Sequence, residues 1–314
     1  MMANTKSFPP MQEGRFYLSE GGVETELMYK YGFELPEFAM FPLLDNPDAV
    51  SKMREMFRSY LEVVAKNGMC ALMGGLDYRA SPDWGERLGY SPEGLAEANH
   101  QALAFLREIA DEYAADIPEI LIQGLIGPRG DAYERNETIT ENEAEDYHSV
   151  QLKTLKEADV DLAIAMTFNN IRESIGVARA AAKVGVPLAI SFIVNSESKL
   201  DTGQSLGEAI TTIDAETDQS PEFYSINCCH PIEYEPAIES SDWINRIRGV
   251  RPNASKRDKI ALCQLGHLED GDPVELGQQC GDLARRYPHM DIWGGCCGTW
   301  DNHLDEIAKN LAAQ

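Results

Sequence analysis

The chain has 314 residues, 43% hydrophobic and 25% charged, with a formal net charge of −25. That composition excludes a disordered or fibrous chain and supplies a sizeable apolar core. Such acidity repels phosphate backbones and anionic lipid surfaces, so neither a nucleic acid nor a membrane is expected as partner.

No apolar run has the length of a membrane span, and Met1 to Pro10 lacks the apolar stretch of a secretory signal, so a cytoplasmic protein is expected. The seven cysteines, an odd number in a chain this long, argue for reduced thiols rather than a disulfide framework. Cys70, Cys263 and Cys280 stand among apolar residues and are expected in the core. The acidic surface serves solvation, or steers a cationic substrate.

In chain order, Arg15 to Ser19 predicts a first strand that runs into Glu20-Gly21-Gly22-Val23-Glu24-Thr25-Glu26-Leu27. A long first loop, about 19–46, follows, of the kind that forms lids or binding loops. Asn46-Pro47 predicts a helix start, and Met53, Met56, Phe57, Tyr60, Leu61 and Val64 recur at helical spacing until Gly68. Cys70 to Met73 is the second strand, ending at Gly74-Gly75, and Ser91-Pro92 opens a helix to about Ala115. Glu119 to Ile126 is the third strand, and Thr140-Glu141-Asn142-Glu143 is a capping box for the next helix. Asp161 to Met166 is the fourth strand, an apolar run covered on both faces, with its helix from Asn170 to Lys183. Pro187 to Val194 is the fifth, followed by the capping box Ser205-Leu206-Gly207-Glu208. Glu222 to Cys228 reads as the sixth strand, with a helix at about Pro236 to Ile247. Lys259 to Leu265 reads as the seventh, with a helix opened by Asp272-Pro273-Val274-Glu275. Met290 to Trp293 is the eighth, and Asn302 to Ala312 the last helix.

Eight strand and helix units in alternation predict an α/β protein, a single (β/α)8 TIM barrel domain over residues 1–314; a doubly wound open sheet is the alternative. The glycine-rich and cysteine-bearing stretches fall at the C-terminal ends of strands one, two, six and eight, the end where barrel active sites lie. Strand eight closes against strand one, which places Gly294-Gly295-Cys296-Cys297-Gly298-Thr299 beside Glu20-Gly21-Gly22. Neighbouring thiols rarely pair with each other, whereas a soft metal ion accepts both once the glycines let the backbone bend. A third thiol comes from Ser225-Ile226-Asn227-Cys228-Cys229-His230-Pro231. Side chains alternate across a strand, so one of Cys228 and Cys229 faces the axis, and His230 reads as a capping residue. Three thiolates on Zn²⁺ leave the fourth position open for a thiol substrate, which coordination deprotonates.

Gly294-Gly295-Cys296-Cys297-Gly298-Thr299, Asn227-Cys228 and Gly21-Gly22-Val23-Glu24-Thr25-Glu26-Leu27 resemble the homocysteine S-methyltransferase family. Tyr78-Arg79-Ala80-Ser81-Pro82, Ile126-Gly127-Pro128 and Ser191-Phe192 are similar landmarks, and the resemblance covers nearly the whole chain. It implies a zinc-dependent barrel that moves a methyl group from a small onium donor, such as betaine or S-methylmethionine, to homocysteine, giving methionine. Carried over residue by residue, Cys228, Cys296 and Cys297 match the zinc ligands. Glu20, Gly21, Gly22, Asp77, Tyr78, Thr167 and Asn227 are the implied substrate-binding residues.

The chain departs from the family's pattern where an aspartate is Glu20, and where a strand-four glutamate that grips the amino acid's ammonium is Met166. Gly74-Gly75-Leu76-Asp77 stands where threonines are usual, and Asp77 offers a carboxylate or a solvated loop charge. A different thiol acceptor, or a non-catalytic zinc- or thiol-binding barrel, is therefore the alternative. Aromatic faces suit an onium group, and Tyr78, Trp84, Tyr90, Tyr31, Phe33 and Phe38 are the candidates. A homo-oligomer is compatible with these features.

Overall fold

The structure, a computed structural model, describes residues 6–133, 138–238, 241–257 and 267–312. Eight parallel strands close into a barrel in sequence order: β1 (Tyr17–Ser19), β2 (Cys70–Met73), β3 (Ile120–Ile126), β4 (Leu162–Phe168), β5 (Leu188–Phe192), β6 (Phe223–Asn227), β7 (Ile247–Arg251) and β8 (Ile292–Trp293). Among the described residues seven long helices surround them: α1 (Pro47–Lys66), α2 (Pro92–Glu112), α3 (Glu141–Glu157), α4 (Ile171–Val184), α5 (Leu206–Glu216), α6 (Pro273–Arg286) and α7 (Asp301–Ala312).

The helices begin where the caps direct. Asn46 Oδ1 accepts from the Asp48 and Ala49 N–H groups, and Asp272 caps α6 in the same way. Thr140 with Glu143 and Ser205 with Glu208 form reciprocal capping boxes. Strand side chains divide by alternation: Leu162, Ile164 and Met166 fill the barrel interior, while Ala163, Ala165 and Phe168 pack toward the helices. At the lower end Phe8 plugs the barrel, with ring centroids 5.5 Å from Tyr17 and 5.1 Å from Phe223. Met166, 5% exposed, is the apolar lid of the interior at the upper end.

The seventh strand is the main departure from expectation. Ile247–Arg251 pairs with β6 and β8, and the helix expected at about Pro236 to Ile247 is instead Pro231–Tyr234 with two 3-10 turns, Glu235–Ala237 and Asp242–Arg246. The expected strand Lys259 to Leu265 and Cys263 lie outside the described residues. Two arginines conceal β7, because charge in a barrel strand looks like surface until its partners are known. Arg248 pairs with Asp291 at 2.5 Å, and Arg251 with Glu20 at 2.8 Å.

The connection from β1 to α1 is not an open loop. It carries a helical turn (Val23–Thr25), a π-type turn (Glu26–Lys30) and two 3-10 turns (Pro36–Phe38 and Phe41–Asp45). Glu26 anchors it from below, accepting from the Tyr60 hydroxyl at 2.5 Å and pairing with Lys30 at 2.6 Å. Cys70 and Cys280 are buried, as expected. Among the described residues no helix is long and apolar enough to cross a membrane.

A candidate metal centre at the upper rim

Cys228, Cys296 and Cys297 converge: their sulfur atoms all lie within 4.8 Å of one another. Cys228 is 5% exposed and follows the last residue of β6; its φ of 53° places it in the left-handed region. That turn aims its side chain at the β8 loop, whereas Cys229, 0% exposed, packs into the core and donates Sγ–H to the Asn227 carbonyl at 3.2 Å. His230 caps the helical turn at Pro231, accepting at Nδ1 from the Ile232 N–H, and burial pushes its imidazole down to about 4, so it stays neutral.

Cys228 and Cys296 make the tightest sulfur pair of the cluster, with Cα atoms 5.5 Å apart. Both sulfurs belong to the one three-cysteine cluster. Thiols aimed at a common point come within bonding distance of each other.

The glycines around the pair have a different role from the expected bend. Neither Gly294 nor Gly295 has a positive φ; only Gly298, at 82°, does. A Cβ on Gly295 would sit 2.0 Å from Thr299 Oγ1, and one on Gly294 2.1 Å from Ser19 Oγ. Across the seam, a Cβ on Gly21 would meet the Thr299 carbonyl oxygen at 2.5 Å, and one on Gly22 the Cys296 carbonyl oxygen at 2.4 Å. Both stretches are glycine because the backbones after β1 and β8 lie against each other.

Arg251 stitches this seam. Its Nε donates to the Gly295 carbonyl at 3.0 Å, and Nη2 reaches the carbonyls of Glu20 and Gly21 at 3.4 Å. Its ion pair with Glu20, buried at 3% exposed, completes the strut, and Glu20 Oε2 also accepts from the Gly74 N–H at 3.1 Å. Glu20, expected to hold a substrate, therefore has its carboxylate directed into the scaffold. Asp77 likewise is 1% exposed, not a solvated loop charge, and accepts from the Leu125 N–H at 3.0 Å; burial pushes its carboxyl up to about 7.

A cavity of about 270 Å³ opens beside the thiols, and its wall includes all three cysteines together with Gly21, Gly22, Tyr78, Met166, Thr167 and Asn227. Neither Glu20 nor Asp77 lines it. Asn227 is fully buried; its Oδ1 accepts from the Thr167 N–H at 3.1 Å and the Ser191 hydroxyl at 2.7 Å. Those two bonds fix the amide, and its Nδ2 has no acceptor among the described residues. Thr167 is left-handed at φ 60°, which for a β-branched residue costs about 1–2 kcal/mol. The conformation sets its hydroxyl 2.5 Å from the Tyr78 hydroxyl. Of the expected aromatic residues, Tyr78 and Phe38 reach the cavity. Trp84 instead stacks on Arg79, 4.1 Å from the ring centroid, and Tyr90 packs edge-on against Phe41.

Sequence reasoning did not single out Glu24, Tyr29, Tyr133, Arg251 or Asn253, all on the cavity wall. Glu24 stands within the quoted Gly21 to Leu27 stretch, but a sequence does not say which of its glutamates faces inward. Arg251 was hidden by the misplaced seventh strand.

The sequence profile described as homocysteine S-methyltransferase matches residues 17–311. The chain belongs to the homocysteine S-methyltransferase family. As a member of that family it is a methyltransferase, and the family's acceptor is homocysteine. Homocysteine S-methyltransferase YbgG of Bacillus subtilis (strain 168) is 24% identical over 245 residues, 70% of this chain and 74% of that protein. Betaine–homocysteine S-methyltransferase 1 of Rattus norvegicus is 24% identical over 327 residues, 97% of this chain and 74% of that protein. Among solved structures, the metallated form of the homocysteine methyltransferase MmuM from Escherichia coli superposes with a TM-score of 0.70 at 19% identity, covering 95% of this chain and 96% of that one. Its oxidized form gives 0.72 at 20% identity, covering 93% and 94%. Those likenesses bear on the fold, which they share.

Proposed function

We propose that this family member is a zinc-dependent methyltransferase that moves a methyl group from a small onium donor, such as betaine or S-methylmethionine, to homocysteine, giving methionine. The observation that carries the reading is the convergence of three thiols, within 4.8 Å of one another, on the wall of one cavity. The donor set fits a soft, closed-shell ion: three sulfurs from two loops, with the cavity on the remaining side. Cys228, Cys296 and Cys297, reduced, would hold Zn²⁺. When bound, the ion supplies a way to keep the acceptor's sulfur as thiolate at neutral pH.

The chain's own residues supply the rest. Gly21 and Gly22 line the β1 side of the cavity, and because they carry no Cβ the loop that bears Cys296 and Cys297 closes against them. The Asn227 Nδ2–H, already oriented and lacking an acceptor, donates to an anionic group of the substrate. Tyr78 and Phe38 offer aromatic faces to an onium methyl group, and the Tyr78–Thr167 hydrogen bond holds the first of these rings. Met166 and Leu125 exclude water. In the transfer the carbon–sulfur bond to the acceptor forms as the methyl carbon's bond to the donor breaks, and the donor leaves as a neutral amine or thioether. Alignment of the two substrates in one pocket carries much of the acceleration.

Ligation requires reduced thiols, so a reducing compartment, the cytoplasm, suits this chemistry. We read residues 1–314 as one barrel domain serving this site. The test is an assay of reduced, zinc-loaded protein with homocysteine and a panel of betaine, S-methylmethionine and related donors. Methionine formed from one donor, with about one zinc per chain, is the expected result; no methionine from any donor would overturn the reading.

A further inference from the structure

An α-amino acid thiol brings an ammonium group into the cavity, and a partly dry wall must meet it with a carboxylate or leave it costly. Among the described residues three acidic side chains line the cavity: Glu24, Asp131 and Glu269. Two are already engaged. Asp131 faces Arg79 at 3.6 Å and accepts from the Tyr133 N–H at 2.8 Å, and Glu269 pairs with Arg257 at 2.8 Å and accepts from the Ser255 hydroxyl at 3.0 Å. Glu24, half-buried in the helical turn after Gly21-Gly22, has no side-chain partner for its carboxylate among the described residues.

We infer that Glu24 is the ammonium anchor of the acceptor pocket, and that it makes the enzyme select thiols bearing an α-amino group. The inference rests on the homocysteine reading above and adds the residue that enforces it. Met166, on the same cavity wall, is apolar and 5% exposed, and its side chain offers no carboxylate. Glu20 and Asp77 are committed to Arg251, Gly74 and Leu125. An ammonium presents N–H donors that a carboxylate oxygen accepts, whereas an onium methyl group has none and is served by aromatic faces; S-methylmethionine carries an α-ammonium too, and the donor's KM in the experiment below separates it from the acceptor as the ligand of Glu24. Burial pushes the Glu24 carboxyl up to about 7, against the opposing pull of Arg251, as expected of a carboxylate that lacks its counter-ion until a ligand arrives. Its neighbours facing the cavity are Arg79, Arg251 and Thr25, the last occupied with the Gly22 carbonyl at 2.8 Å.

The experiment compares homocysteine with 4-mercaptobutanoate, the same thiol without its amino group, as acceptors for the zinc-loaded wild type and for Glu24→Gln. Wild type is expected to prefer homocysteine in kcat/KM by roughly 10- to 100-fold. Glu24→Gln is expected to lose that preference through a higher homocysteine KM, while kcat with 4-mercaptobutanoate, KM for the donor and zinc per chain stay unchanged. A wild type that uses both thiols equally, or a Glu24→Gln that keeps the preference or shifts the donor's KM instead, overturns the assignment and leaves the homocysteine reading standing. A wild type that methylates neither thiol overturns both. If Glu24→Gln does not fold, the wild-type comparison and Glu24→Asp, which keeps the charge and should keep most of the preference, decide the question.

Discussion

The two ends of this barrel are built from the same strands to opposite standards. At the lower end the strand charges are paired: Arg248 joins Asp291 and also donates to the Pro9 carbonyl at 2.9 Å, Arg15 joins Glu119 at 2.6 Å, and Phe8 fills the axis. At the upper end Thr167 and Cys228 are left-handed, Asn227 Nδ2 has no hydrogen-bond partner among the described residues, and burial pushes the Glu24 carboxyl up to about 7. The lower end spends its interactions on holding the fold; the upper end leaves groups unanswered for a ligand.

The strongest way to break that contrast is Cys297→Ser. Removing one of the proposed ligands should lower methyl transfer by at least about 10³-fold and zinc per chain with it, while thermal melting of the metal-free protein stays within a few degrees of wild type. Arg248→Met tests the other end. It strands Asp291, 3% exposed, without its partner, and should destabilise the fold by about 3–5 kcal/mol in urea titrations, with kcat of the folded enzyme unchanged.

Asp77 sharpens the comparison through pH. Its carboxyl rises from an ordinary value near 3.8 to about 7, so the folded state binds more protons than the unfolded state between those limits. Its stabilising contribution is present below the lower value and is lost as pH rises through the upper one. Asp77→Asn, which keeps the acceptor for Leu125, should therefore gain on wild type between pH 4 and pH 8, by at most about 4 kcal/mol, measured as urea midpoints across that range. The smallest effect is expected from Thr167→Val, which removes the partner of the Tyr78 hydroxyl at nearly constant volume. It should lower kcat/KM about 3- to 10-fold, with little change in melting temperature.

Much of this was legible from residues alone, where the signal is local. Capping boxes at Thr140 and Ser205, the Asn46-Pro47 start and the apolar runs of β2 to β5 state their structure within a few residues. The thiol cluster was legible because cysteines flanked by glycines at strand ends are rare in a core. What escaped depends on distant partners. β7 reads as charged surface until Asp291 and Glu20 answer its arginines. Glu24 and Glu26 are two residues apart in one motif, yet the turn sends Glu26 down to Tyr60 and leaves Glu24 on the cavity wall. The glycines were expected to bend the chain, and their packing role appears only once the first and last strands are side by side.

That glycine seam also governs the order of assembly. β1 and β8 share a register of only two residue pairs, Tyr17 with Ile292 and Leu18 with Trp293, so little hydrogen bonding holds the closure. The contacts that complete it run between Gly21 or Gly22 and the stretch from Cys296 to Thr299, nearly a full chain length apart, and such distant contacts come late in folding. A metal held by Cys228, Cys296 and Cys297 would tie a different pair, the loops after β6 and β8: it binds only a chain in which those two have met, and by mass action it keeps them together.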